Sequence, residues 1–212
     1  MTRKIQKFWD KRAKRYDLAE RQFEHVYKGI IVKTGKYLSS ADNALDYGCA
    51  TGTKTIELAN IVQHIHGLDI STEMIKEAIK KKDESGVSNI SFSQGTIFNT
   101  NLEKASFDII TAYGIIHLLE DKEVVIQRIH ELLKPGGLFI STTACMKDKM
   151  ALQTRIEVTT YIFMKRLGIS PLRLNMSKSS DVEKLFVDQN FKIVEVEQII
   201  QGIPAIFIVA RK

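Results

Sequence analysis

The sequence holds two cysteines, Cys49 and Cys145, in 212 residues. That is too few for a disulfide framework or for most cysteine-based zinc sites. No apolar run approaches the ~20 residues a membrane-crossing helix needs. The opening MTRKIQKFWDKRAKRYD lacks the apolar stretch of a signal peptide. There is no internal repeat and no low-complexity segment. A hydrophobic share of 44% with 26% charged residues excludes a disordered chain. These absences predict one compact, cytoplasmic protein with a single core.

What is present begins with charge. The formal net charge is +6, and residues 1–40 carry 11 Lys/Arg against 4 Asp/Glu. A basic arm of this kind suits nucleic acid or an anionic surface. It equally suits the solvated face of an amphipathic helix, since Phe8, Trp9, Tyr16, Phe23 and Tyr27 recur among the charges at near-helical spacing. The aromatics need somewhere to pack, which favours the helix.

From residue 43 onward, short apolar runs alternate with helical patterns. Strands are expected at 44–47, 65–69, 90–92, 107–111, 137–141, 191–196 and 206–209, and helices at 52–60, 71–83, 121–133 and 180–190. Such alternation predicts an α/β fold: a doubly wound, Rossmann-like, seven-stranded and mostly parallel sheet covered on both faces. The short Gly202/Pro204 connection makes a hairpin of the last two runs, so the last strand is expected antiparallel. Residues 146–179 are too long for a simple crossover. A helix fits 150–167, with Leu152, Ile156, Phe163 and Leu167 as one stripe.

Open α/β sheets bind ligands at the carboxyl ends of their strands. The first strand runs into Asp46-Tyr47-Gly48-Cys49-Ala50-Thr51-Gly52, a turn of small residues opening a helix. Small residues let a ligand approach the backbone, and the helix amino end favours a carboxylate. The second strand ends at Asp69, 17 residues past Gly52. A carboxylate there can accept both hydroxyls of a ribose, at about 1.5–3 kcal/mol for each charge-assisted bond. Together these describe an adenosine-containing cofactor across the strand ends. A nicotinamide dinucleotide satisfies the ribose argument too, but its pyrophosphate usually asks for G-x-G-x-x-G. Here Ala50 stands between Gly48 and Gly52, and Asp46 before the turn suits an ammonium better than phosphates.

The ordered set LDYGCATGTKTIELA, GLDIS with Met74, FDIITAYGIIHLL and ELLKPGGLFIST resembles the class I S-adenosylmethionine-dependent methyltransferases. It is most similar to the small-molecule branch typified by ubiquinone/menaquinone-biosynthesis enzymes, and FWDKRAKRYD resembles that branch's amino-terminal segment. The resemblance implies S-adenosylmethionine as cofactor and a small-molecule methyl acceptor as partner. It places Asp46, Tyr47, Gly48, Ala50 and Gly52 around the methionine part. Asp69 falls on the ribose hydroxyls, Ile70 and Met74 against the adenine, and Gly95, Thr96 and Ile97 at the adenine edge. Tyr16 approaches from an amino-terminal lid (residues 1–40), and Ala112 and Tyr113 line the wall beside the methyl group. The methyltransferase domain is then residues 41–212, with a cap at 146–179 where Arg155 and Tyr161 are candidates for acceptor contacts. Two departures stand out. Ala50 replaces a glycine, and Thr96 stands where relatives usually carry an Asp, a weaker acceptor for the adenine amino group.

Plainer roles exist for the same residues. Asp69 could cap the following helix, although Ser71 is better placed. Tyr113 is as apt for packing as for the pocket wall. His117, after the fourth strand, is a candidate base by its near-neutral intrinsic pKa, or an orienter of its loop. His64 and His66 share one strand face without a third metal ligand, so no metal is expected. Lys80-Lys81-Lys82 reads as a solvated helix end. A nucleic-acid substrate is disfavoured. Thr-Ala-Tyr-Gly replaces the Asn/Asp-Pro-Pro-aromatic motif of adenine amino methyltransferases, and no Pro-Cys nucleophile is present. A non-catalytic S-adenosylmethionine-binding protein is the other alternative.

Overall fold

The computed structural model describes residues 2–166, 174–199 and 202–212. Three helices come first: α1 (Thr2–Asp10), α2 (Ala13–Glu20) and α3 (Glu24–Gly35). Then β1 (Asn43–Tyr47), α4 (Thr53–Ala59), β2 (His64–Asp69), α5 (Thr72–Ser85) and β3 (Ile90–Gln94) alternate. A loop leads to β4 (Phe107–Tyr113), followed by α6 (Lys122–Leu132) and β5 (Leu133–Ala144). The chain continues through α7 (Leu152–Arg166), α8 (Ser179–Asp188), β6 (Lys192–Ile199) and β7 (Ala205–Arg211). Leu167 of the expected stripe and the side chain of Tyr161 lie outside the described residues.

Among the described residues the strands form one sheet of order β3-β2-β1-β4-β5-β7-β6. β1 pairs in parallel with β2 and with β4, so strand order reverses between β1 and β4. β7 runs antiparallel to both β5 and β6, as the short connection requires.

Right-handed crossovers decide which helix covers which face. Chain progress from β1 to β3 puts α4 on one face; progress from β4 to β5 in the opposite direction puts α6 on the other. The core is accordingly split in two. Leu45, Ile110 and Phe139 meet Ile126, Ile129 and Phe186 from α6 and α8. Ala44, Ile65, Ile109 and Ile140 meet Ile30, Ile31 and Leu58 from α3 and α4. Phe139 stacks on Phe186 with ring centroids 5.0 Å apart. Central strands buried on both faces explain why β1 and β4 read as near-continuous apolar runs.

The basic amino-terminal segment is helical, with α1 and α2 packed on α5. The stripe of α7 takes an unexpected direction. Leu152, Ile156 and Phe163 are 73%, 58% and 61% exposed, while Thr154 and Val158 face inward. No helix among the described residues is long and apolar enough to cross a membrane.

Candidate active site

Where β1 ends, Asp46 is buried and both its carboxylate oxygens are engaged. Thr55 Oγ1 donates to Oδ2 at 2.6 Å and Thr111 Oγ1 to Oδ1 at 2.8 Å. It thereby ties β1 to α4 and β4 directly beneath the turn. Burial pushes its carboxyl upward, and the two threonine bonds oppose the shift. Gly48 and Gly52 both take left-handed φ, +77° and +74°. A Cβ on Gly48 would stand 2.6 Å from Ile115, and one on Gly52 2.7 Å from Phe92, so the turn needs glycine for space as well as for φ. Ala50 adopts φ +50°, a conformation that costs an L-residue about 1–2 kcal/mol.

Ala50 is held there by Asp69. Its N–H donates to Asp69 Oδ2 at 3.1 Å, and Ser71 N–H donates to Oδ1 at 2.8 Å. The cap of α5 is Ser71, whose Oγ accepts from Met74 N–H at 3.1 Å. Asp69 is therefore not spent on the helix. Burial raises its carboxyl to about 6, against the lowering effect of those two backbone bonds.

A cavity of about 350 Å³ opens over these strand ends. Its wall contains Tyr16, Tyr47, Gly48, Ala50, Asp69, Ile70, Met74, Gly95, Thr96 and Tyr113, which the sequence singles out. It also contains Trp9, one of the aromatics of the expected amino-terminal lid, and residues that the sequence reading did not select: Ile5 from α1, Phe98, Ile115, Leu118, Glu120 and Asp121. Five expected residues stand behind or beside this wall. Asp46 braces it from below, and Gly52 packs against α5 and β3. Ile97 and Ala112 are fully buried in the core. His117 sits in a 3₁₀ turn (Ile116–Leu118) whose carbonyl accepts from Asn175 N–H at 2.7 Å. Burial lowers its imidazole to about 4, and Nδ1 has no hydrogen-bond partner among the described residues.

Tyr113 serves packing and wall together. Its hydroxyl lies 2.7 Å from Thr34 Oγ1 on α3, and burial drives its pKa far upward. No described residue of 146–179 lines the cavity, and Arg155 is exposed.

The amino-terminal helices are latched to the site by two aspartates. Asp10 Oδ1 accepts from Ser71 Oγ at 2.6 Å and from Glu73 N–H at 3.2 Å, adding a second acceptor at the start of α5. Asp17 accepts from Thr51 Oγ1 at 2.6 Å and pairs with Lys81 Nζ at 2.5 Å. Burial pushes Asp17 up, but the hydrogen bonds from Lys81 and Thr51 prevail and hold its carboxyl below the ordinary range. Lys81 is thus not simply a solvated helix end. Its ammonium also donates to Thr51 and Thr53 hydroxyls.

A second cavity of about 220 Å³ shares Tyr16 and Ala50 with the first and is bordered by Lys54. That ammonium stands 4.0 Å from the centre of the Tyr27 ring, and burial lowers its pKa despite nearby carboxylates.

A buried carboxylate at the end of β2, a glycine turn after β1 and an apolar shelf of Ile70 and Met74 fit an adenosyl sulfonium cofactor. The fold is that of a class I S-adenosylmethionine-dependent methyltransferase. The family model described as a methyltransferase domain matches residues 38–165, and the chain belongs to that family. It is 29% identical over 176 residues to an uncharacterized methyltransferase of Oceanobacillus iheyensis, covering 82% of this chain and 79% of that one. Demethylmenaquinone methyltransferase of Lactococcus lactis is 38% identical over 97 residues, 44% of this chain and 38% of its own. The chain thus spans well under half of that relative. Among solved structures, YcgJ of Bacillus subtilis superposes with a TM-score of 0.72 at 20% identity, covering 89% of this chain and 98% of that one.

Proposed function

We propose that this protein transfers a methyl group from S-adenosylmethionine to a small, partly apolar acceptor, under a lid formed by residues 1–40. The observation that carries this reading is the composition of one cavity wall. The ribose carboxylate Asp69 and the lid residues Ile5, Trp9 and Tyr16 border the same space, together with Phe98 and Leu118.

When bound, the cofactor supplies an electrophilic methyl on sulfur. The chain's own residues bind, align and exclude water. Asp69, held by two backbone amides, presents its remaining lone pairs to the ribose hydroxyls. Ile70 and Met74 offer an apolar face to the adenine, with Thr96 at its edge. Lys54, which borders the adjoining cavity together with Tyr16, would offer positive charge to the carboxylate of the methionine part. Trp9, Ile115 and Leu118 in the cavity wall would help to exclude water from the reacting groups, and orientation would carry much of the acceleration. His117 is neutral at pH 7 and lies outside the cavity wall, which argues against the role of base.

The Lys/Arg surplus of residues 1–40 keeps a nucleic-acid substrate as the rival. Against it, Asp10 and Asp17 dock the segment onto α5 and the glycine turn, so it is no free arm. Methyl transfer from labelled S-adenosylmethionine to a panel of phenols, hydroquinones, amines and short RNAs separates the two. Transfer confined to RNA would overturn the small-molecule reading; transfer to none, with cofactor still bound, would favour a non-catalytic binder.

A further inference from the structure

The smaller cavity lies between the amino-terminal helices and the turn after β1. Asp17, Glu20 and Tyr27 border it from the helices, and Thr51 and Lys54 from the turn and α4. Most of its polar groups are already committed. Asp17 accepts from Thr51 and pairs with Lys81. Glu20 accepts from the Tyr27 hydroxyl, and Glu24 pairs with Lys28 at 2.7 Å. Arg21 and Glu57 are exposed at its rim. Two groups stand apart. Among the described residues Lys54 has no ion pair, and the Tyr16 hydroxyl has no hydrogen-bond partner.

The ring of Tyr27, 4.0 Å from the Lys54 ammonium, attracts the cation without neutralising it. A half-buried ammonium with no counter-ion keeps part of its desolvation cost, and an anion entering the cavity would recover it. A doubly charged phosphate would meet Asp17, Glu20, Glu24 and Glu57 around the same space, so a singly charged carboxylate is the better fit. Tyr16 and Ala50 border both cavities. A nucleoside in the larger one would therefore extend a short chain past them into the smaller.

We propose that Lys54 makes the protein demand a carboxylate on its nucleoside ligand, and that Tyr27, by seating the ammonium, ties this recognition to the lid. Lys54 belongs to α4 and Tyr27 to α3, so a carboxylate held by Lys54 is enclosed only while the amino-terminal helices are docked. Such coupling is reciprocal: the carboxylate favours the docked lid as much as the docked lid favours the carboxylate. A ligand that ends at the thioether reaches Asp69 and the apolar shelf but not this clamp. It binds without fixing the lid. The inference rests on the reading of the larger cavity as the S-adenosylmethionine site.

The test is calorimetry on the full chain with two ligands: S-adenosylhomocysteine, and methylthioadenosine, which keeps the adenosine and the thioether but lacks the amino-acid end. Lys54→Met retains most of the stem and removes the charge. It should weaken S-adenosylhomocysteine at least about tenfold and leave methylthioadenosine unchanged, which also shows that the variant is folded. Tyr27→Leu should weaken S-adenosylhomocysteine alone, by a smaller factor, and Tyr27→Phe, which keeps the ring, should restore it. Trypsin cutting at the exposed Arg12, Lys14 and Arg15 reads the lid. Saturating S-adenosylhomocysteine should slow it in the parent but not in Lys54→Met, and methylthioadenosine should slow it in neither. Equal loss of both ligands in Lys54→Met, or loss of neither, would overturn the proposal. So would equal protection of the lid by the two ligands, or a Tyr27→Leu variant that binds as the parent does. A parent that binds neither ligand would overturn the cofactor reading itself, and this inference with it.

Discussion

Asp69 sits under two opposing demands. Ribose hydroxyls ask for an ionised carboxylate, yet burial favours the protonated form and raises its pKa to about 6. The fold meets the conflict with two backbone N–H donors, which stabilise the anion without consuming all its lone pairs. Asp69→Ala should therefore cost at least about 2 kcal/mol of cofactor affinity, near thirtyfold, read by calorimetry with S-adenosylhomocysteine. A pH dependence comes with it. Below about 6 the unliganded protein carries a neutral Asp69, so binding must expel a proton and affinity falls as pH drops from 7 to 5. Asp69→Asn should flatten that slope; an unchanged slope would assign it to another group. Thr96 is the neighbouring case. A carboxylate accepts more strongly than a hydroxyl, so Thr96→Asp should bind cofactor as well as the parent or better. Clear weakening would mean that backbone groups hold the adenine. At Ala50 the strain of φ +50° should be relieved by glycine, and Ala50→Gly is expected to leave the melting temperature unchanged or raise it.

At the scale of elements, the lid is the part whose attachment can be measured. α1 and α2 reach the site through Asp10 and Asp17; neither lies in the wall of the larger cavity, and Asp17 borders the smaller one. Deleting residues 1–20 should abolish methyl transfer while the sheet, whose core draws on neither α1 nor α2, stays folded by circular dichroism. Loss of the fold would make the segment structural instead. Much of the site was legible because its signals are local. Gly48, Asp69 and Tyr113 stand at strand ends and Gly52 opens the next helix, and strand ends can be read from apolar runs. The latch was not legible, because Asp17 and Lys81 are 64 residues apart and nothing in either neighbourhood announces the other. Lys81 sits among two other lysines, where solvation is the ordinary expectation. α7 shows a different limit. Periodicity of Leu152, Ile156 and Phe163 reveals a helix with an apolar side, but which side meets the protein depends on packing elsewhere. His117 shows the same limit for chemistry, since an imidazole three residues from the cavity's Gly114 turns inward rather than toward the ligand.

For the whole molecule, the division of charge is the property that reaches solution first. The surplus of 11 Lys/Arg over 4 Asp/Glu in residues 1–40 attracts anionic partners toward the amino-terminal helices. Binding of generic duplex or single-stranded nucleic acid is nevertheless expected to be weak at physiological salt, because several basic residues are already committed. Lys33 and Lys81, for example, pair with Glu197 and Asp17. Tight RNA binding with a steep salt slope, removed by the 1–20 deletion, would restore the nucleic-acid reading.

The place of β7 in the sheet has a consequence for how the molecule is made. Ala205–Arg211 follows β6 in the chain but lies between β5 and β6, paired with both along its length. Until it is laid down, β5 presents an unpaired edge of apolar residues, and β6 has no neighbour at all. Parallel strands β1 to β5 can assemble as synthesis proceeds, whereas closure of this half waits for a segment about seventy residues downstream of β5. Folding should therefore have a late, slow step, and the waiting intermediate is the species at risk of sticking to its copies. A substitution such as Ile208→Pro, which removes one rung from the middle of that ladder, should leave an early compact state intact and send it into inclusion bodies.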